Sequence, residues 1–174
     1  MRWCSIGYRA QEAQSVSARI FGDLDAPEAD QFNSAGLEPL YLALTLEGLL
    51  LEMGQGFGHH FNPLTIQAYK IDVADIIDLR TEGDRAIAGV ELASLTCTWS
   101  FETASRRFLP SWTLARDLIA KGAAGILAPS FATGARPSMA NLVLWRWGPT
   151  PPHQILVVDP KARLSSERWP VPEP

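Results

Sequence analysis

"PLYLALTLEGLLLEMG", residues 39–54, decides how this chain is read. Its first half, "PLYLALT", has the apolar character of a short buried strand. Its second half, "LEGLLLEM", repeats apolar residues at helical spacing. Thr45 stands where an N-cap is wanted, and Glu47 falls in the first turn, where a carboxylate complements the helix dipole. Leu46, Leu49, Leu50 and Met53 are spaced i, i+3, i+4, i+7 and predict the core face, with Glu52 on its flank and Gly54, Gly56 and Gly58 ending the helix. The stretch is therefore a strand-to-helix unit that carries one tyrosine, Tyr41, and one carboxylate, Glu52, which follows three leucines.

Outward from this unit, strands outnumber helices. "RWCSIGYRA" predicts a first strand, and residues 11–37 are polar, with the Gly, Pro, Asp and Asn of a long loop. "LTIQAYKIDV" and "IIDL" predict two strands; the ambiguous residues 81–110 suggest a helix around 88–95 and a loop through "SRRFLPS". "SWTLARDLIAKG" predicts a helix with Ser111 as N-cap and Gly122 at its end, followed by the strand and turn "AAGILAPSF". "ANLVLWRW" and "HQILVVDP" predict two more strands, and "WPVPEP" a terminal arm over 165–174. Strands that do not alternate regularly with helices favour an α+β fold, a single compact mixed-sheet domain over residues 1–174, above a doubly wound parallel sheet. No repeat or domain boundary interrupts it.

Composition narrows the function. The 174 residues can bury a core without disulfides, and 47% hydrophobic with 20% charged residues argues against disorder. A net charge of -4 gives no general phosphate-binding surface, so nucleic acid is a poor partner, although one or two placed arginines could still hold an anionic nucleotide. Two cysteines, Cys4 and Cys97, without a CxxC, suit a reducing cytoplasm and read as small buried hydrophobes. The N-terminus lacks the apolar core of a signal peptide, and no apolar run is long enough to span a bilayer, so the protein reads as cytoplasmic. His59 and His60 are adjacent, point apart and have no third ligand at a metal spacing, so no metal is expected. Neither a dinucleotide fingerprint nor a P-loop is present.

The residues that could carry chemistry each have a plainer reading. Tyr41 and Glu52 could line one cleft, the ring stacking on a flat heterocycle and the carboxylate stabilising a developing cation. On spacing alone, a core tyrosine and a solvent-facing helix glutamate is the better reading. Ser130 in "LAPSF" stands at the end of an apolar strand, where its hydroxyl could meet a ligand or a carboxylate; without a G-x-S-x-G elbow it is not read as a hydrolase nucleophile. Arg9 and Arg19 could each fork onto a phosphate or simply be solvated.

Their order along the chain says more than any one of them. An early arginine in "YRA", a loop ending in an "FN..G" element, a tyrosine, a glutamate eleven residues later and a "G-I-x-x-P-S" turn together resemble the RES-domain family, from residue 8 to residue 144. These are toxins of bacterial toxin–antitoxin pairs, and the resemblance implies a fold like that of diphtheria-toxin-type ADP-ribosyltransferases and NAD as the consumed substrate. It implies that Arg9 contacts the NAD phosphates, that Tyr41 packs beside the nicotinamide, that Glu52 is the catalytic glutamate and that Ser130 is the serine of the "PS" turn. Phe32 and Asn33 keep part of the family's "GGRWN" loop, but Gln31 stands where the arginine belongs; that phosphate contact is lost or passes to Arg19, which should then share the cleft. The implied function is mono-ADP-ribosylation of a host-cell protein with growth arrest, and the implied partner is a helix-turn-helix antitoxin covering the cleft. An NAD glycohydrolase or phosphorylase, and a non-catalytic binding module, stand as the alternatives.

Overall fold

In a computed structural model of the chain, the residues described are 1–12, 32, 39–56, 64–96 and 110–161. They form β1 (Trp3–Glu12), β2 (Leu40–Ala43), α1 (Leu46–Gly56), β3 (Leu64–Val73), β4 (Ile76–Asp78), α2 (Glu82–Ala88), a 3-10 turn (Leu92–Ser94), α3 (Pro110–Ala120), β5 (Gly125–Pro129), β6 (Ala140–Leu144) and β7 (His153–Val157). The strands make one seven-stranded sheet in the order β4-β5-β6-β2-β1-β3-β7. Only β4 and β5 run parallel; the other neighbours are antiparallel. This is the mixed α+β architecture expected of the sequence. No helix of the described residues is long and apolar enough to cross a membrane.

The sheet cannot be flat. Only Ala74 and Asp75 link β3 to β4, which stand sixth and first in the sheet. Five strand steps would cover about 24 Å in a flat sheet, whereas the three Cα–Cα steps from Val73 to Ile76 reach at most about 11 Å. The sheet therefore curls until its ends meet. Asp75 makes the turn at φ 59, in the left-handed region. The N-terminus closes the seam: the Met1 ammonium donates to the Ile76 carbonyl (2.7 Å), and the Ile76 N–H donates to the Met1 carbonyl (2.9 Å).

Strand alternation then sorts the side chains. Inside the curl lie Leu40, Leu42, Tyr69, Ile71, Val73, Ile76, Leu127, Leu142, Leu144 and Ile155, all at most 1% exposed. Burial pushes the Tyr69 hydroxyl up to about 12, against the opposing pull of the Arg9 charge. On the outer face, Ile126, Ala128 and Val143 pack with Leu118 of α3 and with Leu79, Val90, Leu95 and Phe32.

Several local expectations are corrected. The helix looked for around 88–95 is α2 at 82–88, because Thr81 accepts the Asp84 N–H and caps it there, while Gly89 at φ 67 stops it. Ser111 is not the N-cap of α3: Pro110 is already helical, as suits a residue with no N–H, and Ser111 is buried inside the first turn. The strand "ANLVLWRW" leaves the ladder after Leu144, since Trp145 and Arg146 both donate to the Ala124 carbonyl. Cys4 is exposed. Helix α1 continues past Gly54 to Gly56. Cys97, Gly58, His59, His60, the first five residues of the segment "SRRFLPS", the loop over 13–31 and 33–38, and the arm over 165–174 lie outside the described residues.

Candidate functional site

The phase of α1 sets the site. Thr45 accepts the Gly48 N–H at 3.0 Å, so the predicted N-cap is made. The inward face, however, is Thr45, Gly48, Leu49 and Glu52; Leu46 and Leu50, expected in the core, are 44% and 52% exposed. Glu52 thus stands on the inward face itself. Gly48 allows the approach: a Cβ there would come 2.9 Å from Thr45 Oγ1 and 3.6 Å from Met139 Cβ. One turn further along the same face, Glu52 reaches the sheet.

Its carboxylate lands on two donors from different strands. The Ser130 hydroxyl, just past β5, donates to Oε1 at 2.5 Å, and Asn141 Nδ2, near the start of β6, donates to the same oxygen at 2.8 Å. Ser130 Oγ in turn accepts the Ala132 N–H at 3.3 Å, so its one proton is directed at Glu52. Sequence separations of 78 and 89 residues are bridged by these two bonds. An ion pair between Arg136 and Glu47 ties the loop after Ser130 to the first turn of α1.

Tyr41 lies on the same outer face. It opposes Val143, one alternation along from the Ala43–Asn141 pair, and its hydroxyl accepts the Phe32 N–H at 3.0 Å. Trp145 Nε1 donates to the Phe32 carbonyl at 3.2 Å, so two aromatic side chains clamp that residue, whose own side chain is buried. From the sequence reading, the structure therefore joins Glu52 to Ser130 and Tyr41 to Phe32, with Tyr41 on the sheet face to which Glu52 is bonded. Arg9 is differently placed. It pairs with Gln67 in β1–β3, which starts its side chain from the inner face. It also lies one residue beyond Tyr8↔Ala43, the register pair joining β1 to β2, whereas β1 follows β3 over ten positions. The two halves of the sheet part there, and Arg9 sits at the parting. Arg19, Gln31 and Asn33 lie outside the described residues.

Two residues of this neighbourhood escaped the sequence reading. Asn141 is the polar position of "ANLVL", and Asn is depleted in strands, which was the available signal. Tyr8 opposes Ala43 and so shares the outer face with Asn141 and Tyr41. No cluster of His, Cys, Asp and Glu among the described residues could hold a metal. A separate hollow of about 380 Å³ beside β4, walled by Ile76, Ile77, Ile87 and Leu118, contains none of these residues.

A curled sheet parting at β1–β2, with Glu52 fixed on the strands beside the parting, is the setting in which the sequence match is made. Residues 6–169 match the RES domain, and the chain belongs to the RES domain family. Among solved structures, a chain in the crystal structure of the M. tuberculosis MbcT–MbcA toxin–antitoxin complex has the same fold, with a TM-score of 0.56 and 19% identity, over 91% of this chain and 84% of that one. No curated protein sequence matches.

Proposed function

We propose that this RES-domain protein is the toxin of a toxin–antitoxin pair and that its Glu52 cleft takes NAD as substrate, transferring ADP-ribose to a protein of the host cell. The observation that carries the reading is the Glu52 carboxylate, fixed by Ser130 and Asn141 on the face that also bears Tyr41. A carboxylate held this way is poised for one kind of chemistry, the stabilisation of a cation that forms nearby. In NAD that cation arises at the ribose attached to nicotinamide. The C1′–N bond breaks, its electron pair leaves with the nicotinamide, and C1′ gains oxocarbenium character. An acceptor atom then supplies a pair to C1′ and releases a proton.

In this reading Glu52 stabilises the ribosyl cation, Tyr41 with Phe32 walls the nicotinamide end, and Ser130 orients the carboxylate. Arg9, at the parting of the half-sheets, meets the pyrophosphate; Arg19 and Asn33 complete the cofactor side. Pyrophosphate recognition by an arginine fork is worth more than a single point contact, because two parallel N–H donors match the phosphate oxygens. Membership of the RES family supports the NAD reading, and the toxin–antitoxin complex that shares the fold supports an antitoxin partner. That partner is a helix-turn-helix protein seated over the cleft in the cytoplasm.

The test is incubation of the protein with adenylate-labelled NAD and cell lysate. Label appearing on protein supports ADP-ribosylation. Loss of NAD with label only in small molecules would replace the transferase by an NAD glycohydrolase or phosphorylase. No loss of NAD and no binding would leave a non-catalytic module.

A further inference from the structure

Both donors to Glu52 end on one oxygen, Oε1. We infer that Asn141 is a positioning residue that, with Ser130, saturates Oε1 and so reserves Oε2 for the substrate; this rests on Glu52 being the catalytic carboxylate. A carboxylate oxygen has two lone-pair sites. Ser130 fills one at 2.5 Å and Asn141 the other at 2.8 Å, and among the described residues Oε2 has no donor. The carboxylate can then neither spin about its terminal bond nor present Oε1 without losing a bond.

The sheet is built to allow it. On the outer face Asn141 is flanked by Ala128 on β5 and Ala43 on β2, both buried. Two methyl groups leave a notch deep enough for the Glu52 head, and larger side chains at either position would fill it. Tyr8 closes the same row on β1. Asn141 is held by the ladder on both sides, so its amide is aimed by the sheet and not by a flexible loop. Ser130 alone, standing just beyond the end of β5, would fix one direction; Asn141 fixes the second.

Two substitutions separate positioning from packing. Asn141→Leu keeps the branched skeleton and removes the donor. Asn141→Asp keeps the shape and places a second carboxyl against Oε1. That pair cannot hold two charges so close together, so it shares a proton with a raised apparent pKa. While protonated, the introduced carboxyl can donate as Asn141 does; once ionised, it repels Glu52. Among the described residues, the other titratable or charged groups near this row of the sheet are Tyr8, Arg9 and Tyr41 on the strands, Glu47 on α1 and Arg136 on the β5–β6 loop, and the last two pair with each other.

NAD turnover is measured against pH for the wild type and both variants, together with NAD affinity, melting temperature and a carbon NMR titration of the glutamate carboxyls. Asn141→Leu should lower kcat by about tenfold to a hundredfold, the loss of one hydrogen bond to a charged group, with KM for NAD nearly unchanged. Asn141→Asp should work at low pH and lose activity as pH rises through a range where the wild type is constant, with the Glu52 resonance titrating higher. A wild-type pH profile in Asn141→Asp with an unmoved Glu52 titration, or a loss in Asn141→Leu that falls on KM alone, overturns the positioning role while leaving the NAD reading intact. A folded wild type that does not consume NAD overturns both.

Discussion

Replacing Glu52 by glutamine should separate what the site does for the fold from what it does for chemistry. The glutamine carbonyl can occupy the place of Oε1 and still accept from Ser130 at 2.5 Å and Asn141 at 2.8 Å, leaving its amide nitrogen where Oε2 was. Hydrogen bonds to a charged group contribute about 1.5–3 kcal/mol and neutral ones about 0.5–1.5, so weakening two of them costs about 2 kcal/mol. Relief from holding a half-buried charge offsets part of this. The net change in stability should stay within about 1 kcal/mol, a melting shift of roughly 2–4 °C for a chain of this size. Turnover is another matter: the charge is what a ribosyl cation needs, and its loss should cost on the order of a hundredfold or more, about 2.7 kcal/mol of barrier. Thermal melts, NAD binding by calorimetry and NAD consumption measured on one preparation decide it. Full turnover in Glu52→Gln would show that the carboxylate is structural; a collapsed melting temperature would show that its charge holds the fold.

Other substitutions probe the surroundings. Arg9→Ala should weaken NAD binding roughly tenfold with kcat little changed, as expected of a phosphate contact, and an equal fall in kcat would place Arg9 at the breaking bond. Gly125→Ala should be severe, because its Cβ would lie 2.3 Å from the Val143 carbonyl oxygen and 3.1 Å from Leu144 Cα in the neighbouring strand. A loss of about 2–3 kcal/mol, seen as a melting point roughly 5–10 °C lower, is expected, and a wild-type melt would contradict the β5–β6 register. The Arg2 guanidinium, by hydrogen bonding, holds the Asp72 carboxyl down at about 2, with Cys4 adding to the effect. A depressed carboxyl stabilises above its unfolded pKa of about 3.9 and stops doing so as pH falls through its folded value. Asp72→Asn should therefore melt below the wild type at neutral pH, and the two curves should converge between about pH 4 and pH 2.

The strand-to-helix unit was legible because its two halves carry different periods and Thr45 supplies a cap between them. The phase of α1 was not. Leu49, Leu50 and Leu51 run consecutively, so apolar periodicity fits two faces equally, and tertiary contact at Gly48 chose the one that carries Glu52 inward. The curl of the sheet follows from a two-residue link between strands that stand far apart in strand order, which no local pattern announces. Asn141 was overlooked for a related reason: its partner is 89 residues away, and in sequence it is only a polar residue opening a strand. Ser130 and Glu52 were found through the order of motifs along the chain, since neither rises above a plainer reading alone. Helix α2 was misplaced because the cap at Thr81 and the stop at Gly89 lie within a stretch of weak periodicity.

In the proposed reaction the Glu52 cleft breaks the bond between nicotinamide and ribose. Its most direct test is release of free nicotinamide from NAD labelled in that ring, followed by chromatography with the purified protein and with Glu52→Gln. Steady release by the wild type, suppressed on the order of a hundredfold in the variant, is the predicted result; NAD left intact by a folded wild type in the presence of lysate would contradict it.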